Sequence, residues 1–144
     1  MNPTKIIIHH SATADYDTVS WGAIRRYHID VNGWKDIGYH YGIELVGDEY
    51  EIFKGRMDSE TGAHCIGFND NSLGICLIGD FDKYPPNDRQ IYLLKRLVFS
   101  LMGIYGIRAG DVLGHRETYA ILGVPVEKTC PGKAFDMEAF RRGL

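Results

Sequence analysis

Apolar residues form two nearly continuous short runs that predict buried strands. Lys5–His9 is one run, and Ser72–Ile78 is the other. Apolar runs of this length, without alternation between apolar and polar positions, are typical of strands buried on both faces of a sheet. Three further strands are predicted, which are Tyr41–Val46, Tyr50–Lys54 and Val112–Gly114. A Gly-Asp-Glu turn lies between the first two of them and favours a hairpin.

Helical periodicity appears first near the N-terminus. A helix is predicted from about Thr18 to Val31, and Asn32-Gly33 favours its end there. Residues that recur at the spacing of one helical face form its predicted buried stripe: Ile24, Tyr27, His28 and Val31. His28 is therefore predicted to be a core residue.

A longer helix is predicted after Pro85-Pro86. Asn87 is expected to cap it, and Gln90, three residues later, is expected to complete a capping box. Its apolar stripe is unbroken: Ile91, Leu94, Val98, Leu101 and Tyr105. A last short helix is predicted near the end of the sequence. Asp136 is expected to cap it, and Met137 and Phe140 are expected to face inward.

The order of these elements predicts the architecture. Strands and helices interleave, and one strand pair is expected to be antiparallel. This pattern predicts an α+β protein with layers of the α/β type, in which helices flank a central mixed β-sheet. The length of 144 residues fits one domain that spans residues 1–144.

Composition narrows the classes of function. A formal net charge of −3 argues against nucleic-acid binding, for which a basic face is usual. No apolar run approaches the roughly 20 residues that span a bilayer, which argues against membrane insertion. Ile6–Ile8 is too short for the apolar part of a signal peptide, so synthesis in the cytoplasm without a signal peptide is expected. Cys76, inside an apolar run, is predicted to be a buried small residue.

Two histidines and a cysteine have the chemistry of a metal site. His9 ends the first strand, His115 follows Val112–Gly114, and Cys130 lies in the loop before Pro131-Gly132. Zinc binds histidine nitrogen and cysteine thiolate readily, and a catalytic zinc keeps one position for water. Spacing alone leaves the alternatives open, because the short paired spacings of structural zinc sites are absent. A histidine at a strand end is often only hydrogen-bonded, and a cysteine before Pro-Gly is often a turn residue.

Four segments, in one order and covering nearly the whole chain, contain these residues and their neighbours. They are Ile7–Thr13, Gly33–Tyr41, Gly62–Asn69 with Asn71–Ile75, and Gly114–Glu117 with Lys128–Gly132. In these segments the chain resembles the N-acetylmuramoyl-L-alanine amidase family, which includes bacteriophage T7 lysozyme and the peptidoglycan recognition proteins. The short phage-type enzymes are the members that it resembles most.

The resemblance implies a site as well as a fold of the peptidoglycan-recognition-protein type. It implies one Zn²⁺ per chain, bound by His9, His115 and Cys130. It also implies that Tyr39 and Lys128 flank the metal and assist catalysis, without assigning a separate task to each. Some family members lack the cysteine-type ligand and only bind peptidoglycan, so the filled position at Cys130 favours an enzyme.

Three further titratable side chains of the four segments are His40, His64 and Glu117. His64 is expected to line the substrate cleft, because its segment matches the family. His40 is interpreted as a structural histidine. Glu117 is interpreted either as a carboxylate that orients a ligand histidine or as a surface residue.

The function implied by the resemblance is hydrolysis of the amide bond between the lactyl group of muramic acid and L-alanine. Peptidoglycan or a muropeptide is then the partner, and a phage-type endolysin acts on the cell wall after its release. Three alternatives remain open. The first is a cytoplasmic amidase that recycles muropeptides, and the second is a module that binds peptidoglycan without cutting it. The third is a protein-interaction role such as regulating a polymerase, for which no sequence feature identifies a surface.

Overall fold

A five-stranded mixed sheet forms the centre of the protein. The computed structural model describes residues 1–14 and 20–144. The strands are β1 (Lys5–His10), β2 (Tyr41–Val46), β3 (Glu49–Lys54), β4 (Ser72–Leu77) and β5 (Val112–Gly114). Their order across the sheet is β3-β2-β4-β1-β5. β2, β4, β1 and β5 are parallel, whereas β3 pairs antiparallel with β2. The predicted mixed sheet and its hairpin are therefore confirmed.

Four α-helices accompany the sheet in the described part of the chain. They are α1 (Trp21–Asp30), α2 (Asp88–Tyr105), α3 (His115–Leu122) and α4 (Met137–Arg142). The last helix begins as predicted, since the Asp136 side chain accepts a hydrogen bond from the backbone N–H of Ala139. None of these helices is long and apolar enough to cross a bilayer.

The predicted buried stripe of α1 is wrong at Tyr27, His28 and Val31, whereas Ile24 packs against a buried cluster that contains Trp21. Thr18, where the helix was expected to begin, lies outside the described residues, and Tyr27 and Val31 are 57% and 64% exposed. The helix instead contacts the sheet through its first residue, Trp21, whose ring occupies the space beside Gly42 where a side chain would otherwise stand. His28 is only half-buried, so it is not a core residue; its Nδ1 accepts a hydrogen bond from the N–H of Gly38 at 3.0 Å.

The predicted capping box of α2 is also wrong, although its cap and its buried face are confirmed. The Asn87 side chain accepts a hydrogen bond from the N–H of Arg89. Gln90 does not reach back to the cap, because it faces the sheet and is 1% exposed. Its amide donates to the carbonyls of Ile43 and Ile78 at 3.2 and 3.1 Å, which satisfies a buried polar side chain. The remaining buried face is apolar: Leu94, Val98 and Leu101.

Alternation along β1 separates the core from the site. Ile6 and Ile8 pack with the apolar residues of α2 and α4 on one face. Ile7 packs on the other face with a second cluster of apolar residues. Because successive strand residues point to opposite faces, His9 shares the face of Ile7, and His10 lies on the face of Ile8. The His10 ring accordingly stacks on Phe81, a member of the first core cluster.

Glu117 fixes α3 to α4. Its hydrogen bonds run to other groups than the two candidate ligand histidines: it accepts from the N–H of Gly114 at 2.8 Å and from two Arg141 nitrogens at 2.7 and 2.8 Å. Burial raises the pKa of Glu117, but the bonds from Arg141 and Gly114 outweigh burial and hold this pKa below its ordinary value. The carboxylate is therefore a structural link between the two helices.

We expect Glu117→Gln to lower the free energy of unfolding by about 1–2 kcal/mol at pH 7, because charged hydrogen bonds in a partly exposed pair are weakened. A carboxylate with a depressed folded pKa stabilises the protein above its unfolded pKa, near 4.3. That contribution is lost as the pH falls through the folded pKa. Urea unfolding at pH 7 and at pH 3 measures the free energy of unfolding of the variant and of the wild type. The difference between the two proteins should be smaller at pH 3. A difference independent of pH would contradict the assignment.

Candidate active site

Three side chains from separate parts of the chain converge at the carboxyl ends of β1 and β5. The pairing of Ile8 with Gly114 places His9 beside His115, the first residue of α3. Their ring centroids are 4.8 Å apart. Cys130 completes the group, and one nitrogen of each histidine and the cysteine sulfur all lie within 4.8 Å of one another. All three residues are buried.

The loop that carries Cys130 is fixed by the residue after His115. The N–H of Arg116 donates to the carbonyl of Cys130 at 2.7 Å. Its guanidinium group donates to three more carbonyls of this loop, those of Thr129, Gly132 and Phe135. Because Arg116 follows His115 directly, these bonds hold the histidine and the cysteine in one arrangement. No sequence pattern indicates this role of Arg116, since a lone arginine is usually a surface charge.

The orientation of His9 distinguishes its two nitrogens. Nδ1 lies 3.5 Å from the Cys130 sulfur and faces the cluster. Nε2 faces away, 2.9 Å from Nδ1 of His64. Nδ1 of the neighbouring His10 accepts a hydrogen bond from the N–H of Phe81 at 3.0 Å. The nitrogen that faces the Cys130 sulfur thus belongs to His9.

A cleft of about 450 Å³ opens above the cluster. Tyr39 and Lys128 both line it, together with the three cluster residues. The Tyr39 ring is half-buried and lies 5.1 Å from the His9 ring, and its hydroxyl is close to the Cys76 sulfur. Cys76 itself is completely buried, as predicted. Lys128 is exposed at the rim. The five side chains singled out in the sequence therefore lie in one cleft.

Burial controls the protonation of the site. It holds the pKa of His9 well below its ordinary value, and the neighbouring His64 and His115 lower this pKa further. Burial and the charge of Lys128 lower the pKa of His115 to about 4. Both rings are therefore neutral near pH 7, with lone pairs available to a cation. Burial also raises the pKa of the Cys130 thiol to about 12, so the thiol keeps its proton near pH 7. A cation that bound there would displace this proton to the solvent and take the thiolate as a ligand.

The other histidines near the site are bonded within the protein. His64 lines the cleft, and burial lowers its pKa to about 3. His40 is completely buried; its Nδ1 accepts from the N–H of Gly74, and its Nε2 donates to the carbonyl of Glu60. These contacts are those of a structural histidine.

Asp82 is a residue of the cleft that the sequence did not indicate. It accepts hydrogen bonds from the Thr129 hydroxyl at 3.0 Å and from the N–H of Lys133 at 2.9 Å. These two bonds tie Asp82, which lines the cleft, to the loop that carries Lys128 and Cys130. Its position in a turn after β4, with no periodicity around it, provided no signal.

Comparison with known proteins agrees with this geometry. The sequence profile described as N-acetylmuramoyl-L-alanine amidase matches residues 1–133. The chain is 34% identical over 139 residues to the endolysin of Escherichia phage T7, covering 92% of this chain and 82% of that protein.

Solved structures show the same relationship. The endolysin and N-acetylmuramoyl-L-alanine amidase LysCS from Clostridium intestinale superposes with a TM-score of 0.80 at 30% identity, covering 99% of this chain and 83% of that chain. A Drosophila peptidoglycan recognition protein LB, solved in complex with tracheal cytotoxin, superposes with a TM-score of 0.75 at 32% identity, covering 96% and 80% of the two chains. The profile, the identities and the shared fold together show that this chain belongs to the N-acetylmuramoyl-L-alanine amidase family.

Proposed function

We propose that this chain is a zinc-dependent N-acetylmuramoyl-L-alanine amidase that hydrolyses the amide bond between the lactyl group and L-alanine in peptidoglycan. The observation that carries this proposal is the buried cluster of His9, His115 and Cys130 at the base of a cleft that also contains Tyr39 and Lys128. A metal site alone would fit many functions. A metal site whose cleft also contains the ammonium group of Lys128 and the hydroxyl of Tyr39 fits amide hydrolysis in this family.

The donor atoms suit zinc. Two imidazole nitrogens and one thiolate are ligands that zinc prefers, and three protein ligands leave a fourth position for water or substrate. The short distances within the cluster and the neutral state of both rings support binding without a large rearrangement. When bound, zinc would supply a Lewis acid that lowers the pKa of a water molecule to about 7 and polarises the amide carbonyl.

The residues of the cleft would supply the rest of the chemistry. Attack on the lactyl carbonyl places negative charge on its oxygen, and Lys128, exposed at the rim, can bring its ammonium group to that charge. Burial raises the pKa of Tyr39 well above its ordinary value, and the nearby sulfurs of Cys76 and Cys130 raise this pKa further. The Tyr39 hydroxyl therefore keeps its proton near pH 7. It can donate a hydrogen bond to the oxyanion or deliver a proton toward the leaving amine of L-alanine.

The biological role that we propose is lysis of the bacterial cell wall. The relatives from phages T7 and T3 are endolysins, and the chain covers 82% of the length of each. In this role the protein acts on the wall after its release, with peptidoglycan as its partner. Residues 1–144 would form one catalytic domain, since the site combines β1 near the start of the chain with a loop near its end.

Zinc content tests the proposed metal dependence. We expect protein purified without added metal to contain one zinc ion per chain, because the site offers three ligands and one open position. Elemental analysis measures the stoichiometry. Chelation should abolish hydrolysis of peptidoglycan, and zinc should restore it. Full activity in a sample shown to be free of metal would exclude this mechanism.

A further inference from the structure

The ring of His64 stands edge-on to the ring of His9, at the nitrogen of His9 that does not face the Cys130 sulfur. Their centroids are 5.0 Å apart with an angle of 89° between the rings, and the hydrogen bond between them measures 2.9 Å. The His64 side chain also lines the cleft that contains His9, Tyr39 and Lys128. Both of its nitrogens, however, have partners within the protein. Its polar atoms are thus already engaged before a substrate arrives.

The hydrogen bonds form a row from His9 through His64 and Ser72 to the carbonyl of Phe68. The carbonyl at the end of the row determines which atom donates in each bond. The carbonyl of Phe68 can only accept, so the Ser72 hydroxyl donates to it, at 2.6 Å. The Ser72 oxygen can then accept a hydrogen bond from the N–H at Nε2 of His64, which lies 3.4 Å away.

The same direction continues to the metal ligand. A neutral His64 with its proton on Nε2 presents Nδ1 as an acceptor. Nε2 of His9 must therefore be the donor in the bond between the two rings. A neutral His9 with its proton on Nε2 has its lone pair on Nδ1, the atom that faces the Cys130 sulfur. The row of bonds from Phe68 to His9 thus selects the tautomer of His9 that can bind a metal.

The protein holds the His64 ring in place by several means. A Cβ at Gly62 or at Gly74 would come within 2.5 Å of an atom of this ring, so both positions must lack a side chain. The backbone N–H groups of His64 and Cys65 both donate to the side-chain oxygen of Asn69, at 2.7 and 2.9 Å. A ring confined in this way maintains the direction of its hydrogen bonds.

We propose that His64 is a positioning residue that fixes the tautomer and orientation of His9 and thereby raises the affinity of the site for zinc. This inference rests on the proposed zinc-dependent function. Hydrogen-bond partners of metal ligands commonly contribute 10- to 100-fold to metal affinity, because they remove the cost of orienting the ligand. His64 acts through His9 and needs no contact with the metal or the substrate.

Two substitutions at His64 separate this role from simple packing. His64→Asn can place its side-chain oxygen near the position of Nδ1 and keep the acceptor for His9. His64→Gln has a similar polarity but extends its polar atoms toward the position of Nε2, and it loses that acceptor. We expect zinc affinity, measured by competition with a chromophoric chelator, to fall by about 10- to 100-fold in His64→Gln. His64→Asn should remain much closer to wild type.

A second measurement reports on His9 directly. In metal-free protein labelled with ¹⁵N in histidine, the wild-type His9 should carry its proton on Nε2, and His64→Gln should populate both tautomers. Ser72→Ala is the alternative variant if His64→Gln does not fold. It removes the hydroxyl that accepts from His64, and it should also lower the affinity for zinc. Wild-type zinc affinity in His64→Gln, or equal losses in His64→Asn and His64→Gln, would overturn the proposal. Absence of zinc binding by the wild-type protein would instead overturn the proposed function on which it rests.

Discussion

His9→Ala is expected to lose zinc and amidase activity together. It removes Nδ1, the atom that faces the Cys130 sulfur, and leaves two protein ligands where a catalytic zinc needs three. The fall in activity should exceed the roughly 10²–10³-fold that follows loss of a single stabilising donor. Metal content and turnover of the purified variant measure both effects, after circular dichroism has shown that it is folded.

The neighbouring histidine provides the matched control. His10 is buried and adjacent in sequence, but its Nδ1 accepts from the N–H of Phe81 on the opposite face of β1. His10→Ala should keep its zinc and lose at most part of its rate. His10→Asn retains an acceptor, and it should avoid the cost of about 1–3 kcal/mol for a buried donor without a partner. Loss of zinc in the His10 variants with retention in His9→Ala would contradict the assignment of the ligand.

Lys128→Ala is expected to lower kcat by about 10²–10³-fold, the usual effect of removing one group that stabilises an oxyanion. The zinc content should stay normal, because Lys128 is exposed at the rim and is not among the clustered ligands. Kinetics on a soluble muropeptide should show a larger effect on kcat than on KM, since the charge on the carbonyl oxygen develops only during the reaction.

Lys133→Ala is the control for the change in charge. Lys133 is also exposed and belongs to the same loop, but it does not line the cleft. Its removal lowers the net charge by the same amount and should leave kcat close to that of the wild type. Equal effects of the two substitutions would show that Lys128 acts through the general charge of the surface and not at the reacting carbonyl.

The elements that the sequence predicted well are those with a single strong pattern. Continuous apolar runs identified β1 and β4, since both strands are buried on two faces. The stripe on α1 failed because the helix is held by one large aromatic residue, Trp21, and not by a regular face. Gln90 was misplaced because its buried partners, the carbonyls of two distant strands, exist only in the folded sheet.

The site was predictable only in part, for a related reason. Spacing along the chain could not unite His9 with His115 and Cys130, and the family resemblance was needed to single them out. Their proximity follows from the parallel pairing of β1 with β5 and from the loop held by Arg116. The bond between His64 and His9 could not be predicted either, because it depends on the angle between two rings on different segments.

Product analysis on purified peptidoglycan is the most direct test of the central claim. After incubation with the wild-type protein, new amino groups should appear on L-alanine, at the rate at which muramic acid is freed from its peptide. The zinc-free protein should produce none, and restored zinc should recover them. New reducing sugar ends, or tight binding to the wall with no new amino groups, would contradict the assignment as an amidase.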